Sequence, residues 1–153
     1  MRLAVFQPDI AANLGTICRT AACLGVPVDV ILPCGFPFSE KAFRRAAMDY
    51  ADHVSLTLHD DWEHFAAAAK GRLVLMTTKG ATPLSEMTFS PDDTLLLGRE
   101  SAGVPESVHS AADARILIPM QPGLRSLNVA VSAGIALYSA LQQGGSHPIT
   151  PTS

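Results

Sequence analysis

A chain of 153 residues that is 48% hydrophobic and only 16% charged is long enough to bury a core and too apolar to be disordered. It contains no uninterrupted apolar run of roughly 18 residues or more, which excludes a membrane-spanning helix. The net charge of -3 argues mildly against a general nucleic-acid binder, since such proteins are usually basic.

Arg2 to Phe6 is a strand candidate, too short and too soon interrupted for a signal peptide. Ile10, Leu14, Ile17, Ala21 and Leu24 recur at helical spacing and predict a helix from Ile10 to Leu24 that stops at Gly25. Val28 to Leu32 reads as a second strand, and Ser39 as the N-cap of a helix reaching about Met48. Val54 to Leu58 is a short strand, followed by an Ala-rich helix capped by Asp60 or Asp61 and reaching about Lys70. Leu73 to Thr77 and Thr94 to Leu97 are apolar strands closed by Lys79-Gly80 and by Gly98. Pro105 suits the first turn of a short helix. Arg115 to Ile118 is the last strand, and Ser126 to Gln142 the last helix.

This alternation, with strands apolar throughout, predicts an α/β fold: one domain over residues 1–143, a mostly parallel sheet and helices on both faces. Residues 144–153 are rich in Gly, Ser, Pro and Thr and are expected to form a flexible tail. Ligands of such sheets bind beyond the carboxyl ends of the strands, which is where the loops after Thr77, Leu97 and Ile118 must lie. The last helix is apolar nearly all round, with Leu127, Ala130, Gly134, Leu137 and Leu141 on one stripe and Val131, Ile135 and Tyr138 elsewhere on the wheel. That pattern fits burial between the sheet and a second subunit, or a central core helix in a monomer.

Cys18, Cys23 and Cys34 are odd in number and lack a C-x-x-C spacing. Structural zinc and a disulfide framework are therefore not expected, and a reducing cytoplasm is the default. The five histidines are scattered outside the Gly-rich loops and read as surface or turn residues. Cys18 beside Arg19 reads as a buried helix cysteine rather than a nucleophile. No G-x-S-x-G, H-E-x-x-H or P-loop is present.

Three constellations remain. Asn13-Leu14-Gly15 stands with Arg19-Thr20 on the opening helix; taken alone, it reads as an N-cap Asn and a surface Arg. Gly98-x-Glu100-x-x-Gly103 is a tight loop after a buried strand. Gly98 would let a ligand approach the backbone, and Glu100 would accept hydrogen bonds from loop amides or a cofactor. The third is Ile116 to Asn128, a loop crowded with Pro119, Pro122 and Gly123. In it Ser126 can cap the last helix and Asn128 can bond the loop backbone. The helix N-terminus attracts anions, and Arg125 offers a planar fork to phosphate or carboxylate. Lys41, Arg44 and Arg45 cluster on one predicted helix, as a solvated face or as a local basic patch.

In this order the blocks resemble the SPOUT superfamily of RNA methyltransferases, and within it the SpoU group. N-x-G-x-x-x-R-T is met by Asn13, Gly15, Arg19 and Thr20; G-x-E-x-x-G by Gly98, Glu100 and Gly103; and I-P-M…S-L-N by Ile118, Pro119, Met120, Ser126, Leu127 and Asn128. A-M-D-Y at Ala47 to Tyr50 and T-T-K-G at Thr77 to Gly80 look like the minimal branch that 2′-O-methylates the wobble nucleotide of tRNA. The resemblance implies a C-terminal trefoil knot, a homodimer and S-adenosyl-L-methionine as cofactor. It carries the cofactor site to Met76, Thr77, Gly98, Glu100, Gly103, Ile118, Met120, Ser126 and Leu127. It carries the catalytic site to Arg19, Asn13, Ser126 and Asn128, with Arg19 reaching in from the other subunit. RNA contacts would fall to Arg19, Lys41, Arg44, Arg45 and Arg125. The implied substrate is the ribose 2′-hydroxyl of a wobble cytidine or uridine in the tRNA anticodon loop, with no metal and no membrane involved. The alternatives are the same chemistry at another tRNA or rRNA site, or a non-catalytic RNA-binding module on the same fold.

Overall fold

The apolar runs become strands, and their pairing is parallel throughout. A computed structural model describes residues 1–144. The strands are β1 (Arg2–Phe6), β2 (Val28–Ile31), β3 (Leu56–His59), β4 (Leu73–Met76), β5 (Thr82–Pro83), β6 (Thr94–Leu97) and β7 (Ala114–Leu117). They lie in the order β3-β2-β1-β6-β4-β7-β5. The helices are α1 (Ala11–Cys23), α2 (Glu40–Ala47), α3 (Trp62–Ala68), α4 (Glu106–Ala111) and α5 (Val129–Gln143). The expected tail beyond Gly144, with His147, lies outside the described residues.

Successive strand residues point to opposite faces, and the two cores follow from that. Leu3, Val5, Val28, Val30, Val74, Leu95, Leu97 and Ile116 meet Leu14, Ile17, Cys18 and Ala21 of α1 and Ala130, Ala133, Leu137 and Leu141 of α5. On the other face Ala4, Phe6, Ile31, Leu75 and Leu96 meet Phe65 of α3 and Val108 beside Ala112 at α4. Helices on both faces were expected, and the interleaving of strand residues shows why the strands read as continuous apolar runs.

The ends of several elements differ from expectation. Ser39 caps α2 by accepting from the Ala42 N–H at 3.1 Å, but the helix stops at Ala47 and a 3-10 turn covers Met48–His53. Asp61, not Asp60, caps α3 through the His64 N–H at 2.8 Å, and that helix ends at Ala68. The third strand begins at Leu56 instead of Val54. The two-residue edge strand β5 was not expected; a pair containing Pro83 shows no periodicity, and proline is tolerated only at such an edge.

One reading of a single residue is corrected and another holds. Asp29, a carboxylate in the buried strand β2, is held by the Arg2 Nε and Nη2 at 2.7 and 3.1 Å and by the His59 Nε2 at 2.8 Å. His59 is thus a partner of a buried carboxylate and not a surface residue. Cys18 is buried as expected, and burial pushes its thiol up to about 12, so it stays protonated and is no nucleophile.

The glycine of the first block has a packing reason. A Cβ on Gly15 would lie 2.7 Å from the backbone carbonyl of Ala46, so α1 and α2 touch backbone to side chain there. Gly15→Val is expected to lower stability by about 1–3 kcal/mol through this overpacking. Urea unfolding checks it; an unchanged midpoint would show that α2 yields freely.

Candidate active site

Three neighbouring strands, β6, β4 and β7, end side by side, and their following loops enclose a cleft of about 780 Å³. That size suits a drug-sized ligand or cofactor. Met76, Ile116, Ile118, Leu127 and Val129 supply apolar wall, while Thr78, Glu100, Ser126 and Ser132 bring polar groups to it.

The cleft is assembled by a relay of side chains from the three blocks. Asn13 lies in the first turn of α1, Glu100 in the loop after β6 and Asn128 at the start of α5. The Asn13 Nδ2 donates to the Glu100 carboxylate at 3.3 Å, and the Asn128 Nδ2 donates to the Asn13 Oδ1 at 3.0 Å. The Asn128 Oδ1 in turn accepts from the Ala130 and Val131 N–H groups at 2.8 and 3.3 Å, capping α5. The second Glu100 oxygen accepts from the Asp9 N–H at 2.7 Å. Glu100 therefore does accept from a loop amide, as its position in the motif suggested.

Asp9 answers from the other side. Its Oδ1 accepts from the Arg99 Nη2 at 2.7 Å and Nε at 3.2 Å, and its Oδ2 from the Ser101 N–H at 3.1 Å and the Ser101 hydroxyl. Arg99 first, then the Ser101 hydroxyl and amide, hold the Asp9 carboxyl down at about 2. Arg99 and Gly103 close the loop by exchanging backbone hydrogen bonds at 2.8 and 2.9 Å. A Cβ on Gly98 would lie 2.7 Å from Gly103, so Gly98 is needed for this closure, whether or not a ligand approaches it.

Every residue expected at the cofactor site lines this one cleft: Met76, Thr77, Gly98, Glu100, Gly103, Ile118, Met120, Ser126 and Leu127. Asn13 and Asn128 line it too. Arg19 does not. It is exposed on α1, with its guanidinium 4.7 Å from the centre of the Tyr50 ring. Asn13 is a residue of the first helical turn and not the cap of α1, whose N-cap is Ile10. Ser126 is not the cap of α5 either. The helix starts at Val129 with Asn128 as its cap, because Asn13 fixes that side chain in place. This cap occupies two first-turn amides, so the helix end is less open to an anion than the sequence suggested.

The basic residues lie apart from the cleft. Lys41, Arg44 and Arg45 are exposed on α2, where Arg44 already pairs with Asp52 at 2.7 Å and Glu40 at 3.2 Å. Arg125 is exposed in the loop after β7. Among the described residues no group of three or more His, Cys, Asp or Glu is placed to hold a metal ion.

Sequence reasoning missed Asp9, Ser132 and His109. Ser132 was legible as the residue one helical turn after Asn128. Asp9 and His109 carry no motif, and His109 had been read as a surface or turn residue. It lines the cleft, and its Nε2 is a buried nitrogen without a hydrogen-bond partner among the described residues. A cleft with apolar walls, a carboxylate, hydroxyls and a ring nitrogen without a partner among the described residues fits an amphipathic ligand such as a nucleoside bearing a charged tail.

The SpoU rRNA methylase family model matches residues 1–138. A tRNA (cytidine(34)-2'-O)-methyltransferase of Beijerinckia indica is 54% identical over 146 residues, covering 94% of this chain and 91% of that protein. A solved structure described as giving structural insights into the 2-OH methylation of C/U34 on tRNA superposes with a TM-score of 0.87 at 41% identity, covering 93% of this chain and 94% of that one. An AdoMet-bound rRNA methyltransferase from Sinorhizobium meliloti superposes with a TM-score of 0.82 at 29% identity, covering 92% of this chain and 55% of the other.

Asn128→Ala removes both the cap and the tie to Asn13 and is expected to cost about 1–2 kcal/mol. Ser126→Ala should stay within about 0.5 kcal/mol of the parent. Chemical denaturation of the two variants separates them; equal losses would return the cap to Ser126. Asp9 has a folded value near 2 against an ordinary 3.8, so its contribution is complete above about pH 4 and lost as pH falls towards 2. Asp9→Asn should flatten that part of the stability–pH curve, and an unchanged slope would show that other carboxylates govern it.

Proposed function

Because the chain belongs to the SpoU rRNA methylase family, we propose that it transfers a methyl group from S-adenosyl-L-methionine to the ribose 2′-hydroxyl of the wobble cytidine or uridine of tRNA. The carrying observation is the meeting of all three sequence blocks at one cleft, through Glu100, Asn13 and Asn128, in a chain so similar to tRNA (cytidine(34)-2'-O)-methyltransferases.

The cofactor supplies a methyl already activated on a sulfonium, so what remains for the protein is placement of the 2′-hydroxyl and assistance to proton loss. Backbone groups at the ends of β4, β6 and β7 and the Glu100 carboxylate hold the cofactor, with Met76, Thr77, Gly98, Gly103, Ile118, Met120, Ser126 and Leu127 around it. Asn13 and Asn128 act as positioning residues, since each side chain is already committed to the relay. Arg19 is the residue for the hydroxyl. A guanidinium stays charged and is a poor base, so Arg19 orients the 2′-hydroxyl and the adjacent phosphate while a phosphate oxygen or solvent takes the proton. Stacking on Tyr50 steadies its head group. Lys41, Arg45 and Arg125, with Arg44 between its carboxylates, meet the backbone of the anticodon loop.

Arg19 lies outside the cleft lining of its own chain, and a homodimer supplies the missing half. Val131, Ile135 and Tyr138 form one exposed stripe of α5, at 51%, 43% and 55% exposure, beside Leu127 at 40%. An uncovered apolar face of that length on a helix already packed against α1 is a self-association surface, and it would bring Arg19 of one protomer towards the partner's cleft. The topology also supports the trefoil knot. β7 lies between β4 and β5, whose connecting segment, residues 77–81, must cross the carboxyl end of β7. On this reading the chain leaving β7 for α5 threads that crossing. Residues 1–143 form one methyltransferase domain on this reading, and a tRNA substrate places it in the cytoplasm. No helix among the described residues is long and apolar enough to cross a membrane.

Arg19→Ala should bind cofactor normally while losing methyl transfer by a hundredfold or more, about the scale of a misplaced reactant. Mass spectrometry of the wobble ribose in tRNA from a deletion strain, complemented with parent or variant, reads this out. A normal wobble methyl in the uncomplemented strain overturns the substrate, and full activity of Arg19→Ala overturns the residue. Val131→Asp with Tyr138→Arg should give a monomer by light scattering that has lost transfer; an active monomer would place Arg19 in its own chain's site.

A further inference from the structure

One polar group of the cleft stands apart from the three blocks. His109 is on α4 and lines the cleft together with Val104, Glu106 and Ile116. Its Nδ1 accepts from the Arg115 Nε at 3.3 Å, and its carbonyl accepts from the Arg115 Nε and Nη2 at 3.1 and 2.6 Å. Arginine has donors and no acceptor, so this contact requires the Nδ1 lone pair and puts the proton of the neutral ring on Nε2. Nε2–H is thus an oriented donor, yet it is buried with no acceptor among the described residues. Leaving a buried donor unmatched is costly, and a group left unmatched in a ligand-sized cleft is a place where a ligand supplies the acceptor.

We propose that His109 binds the adenine base of the cofactor, its Nε2–H donating to a ring nitrogen. This rests on the cofactor reading above. The reactive end of the ligand belongs on the side of Asn13, Ser126 and Asn128, so the far end of an elongated molecule reaches α4. There the lining is mainly apolar, from Val104, Ile116 and Ile118, which suits a flat heteroaromatic ring. A neutral N–H is matched by an uncharged ring-nitrogen acceptor. The Arg115 bonds to the His109 carbonyl do not depend on which side chain stands at position 109.

Calorimetric titration of the full chain with S-adenosylhomocysteine and with adenosine tests this. The parent protein should bind both. His109→Phe should weaken both by about tenfold, and His109→Gln, whose amide can present an N–H where Nε2 was, should stay within about threefold of the parent. His109→Phe binding as tightly as the parent, or losing affinity for S-adenosylhomocysteine but not adenosine, overturns the assignment. No binding of S-adenosylhomocysteine by the parent overturns the cofactor reading instead. Nitrogen-15 NMR of the parent guards against a misfolded variant. The His109 Nε2–H resonance should shift and become protected from exchange on adding S-adenosylhomocysteine, and an unmoved resonance overturns the proposal.

Discussion

The side-chain amide of Asn13 lies between the Glu100 carboxylate and a second amide, and its orientation follows from a chain of constraints. The Asn128 Oδ1 is committed to the first amides of α5, so only its Nδ2 is left to face Asn13. Asn13 must then present Oδ1 to Asn128 and turn Nδ2 towards Glu100, which as a carboxylate can only accept. Reversing either amide sets donor against donor or acceptor against acceptor. Each bond contributes about 1 kcal/mol net, so the relay matters less for stability than for register. It ties together residues 87 and 115 positions apart in the chain.

The loop after β6 is held from two directions for the same reason. Glu100 accepts from the backbone of Asp9, and Asp9 accepts from the side chain of Arg99 and the backbone of Ser101. This reciprocal clamp leaves the loop little freedom to move without breaking both. A site whose donors and acceptors are fixed before the ligand arrives spends less binding energy on ordering. The short segment between β1 and α1, residues 7–10, is accordingly the hub of the cleft, although no motif marks it.

What was legible in the chain follows from this. Strand positions, the two helical faces and the location of the cleft were readable, because period-2 and period-3.6 patterns and the rule about strand carboxyl ends act locally. The nine residues expected around a cofactor came only from motif matches, and all nine line the cleft. What escaped were features decided by tertiary partners. Ser126 and Asn128 are equally good caps on propensity, and contact with Asn13, far away in sequence, selects Asn128. His59 and His109 looked like isolated surface histidines until Asp29 and Arg115 were found beside them. The edge strand β5 and the 3-10 turn after α2 carry no periodic signal at all.

The shift of the cap by two residues also decides how the loop after β7 is used. Had Ser126 capped the helix, its hydroxyl would have been spent on helix amides and Leu127 would have sat in the first turn. With Asn128 in that role, residues 118–127 remain loop, and they divide by direction. Ile118, Met120, Ser126 and Leu127 line the cleft, whereas Leu124, at 67% exposure, and Arg125 face outward. A single loop therefore offers an inner surface of mixed polarity to a small ligand and, on its outer surface, one exposed cation that has no ion-pair partner among the described residues. The inner residues belong to the cleft wall, and Arg125 is the one charged side chain among residues 118–127.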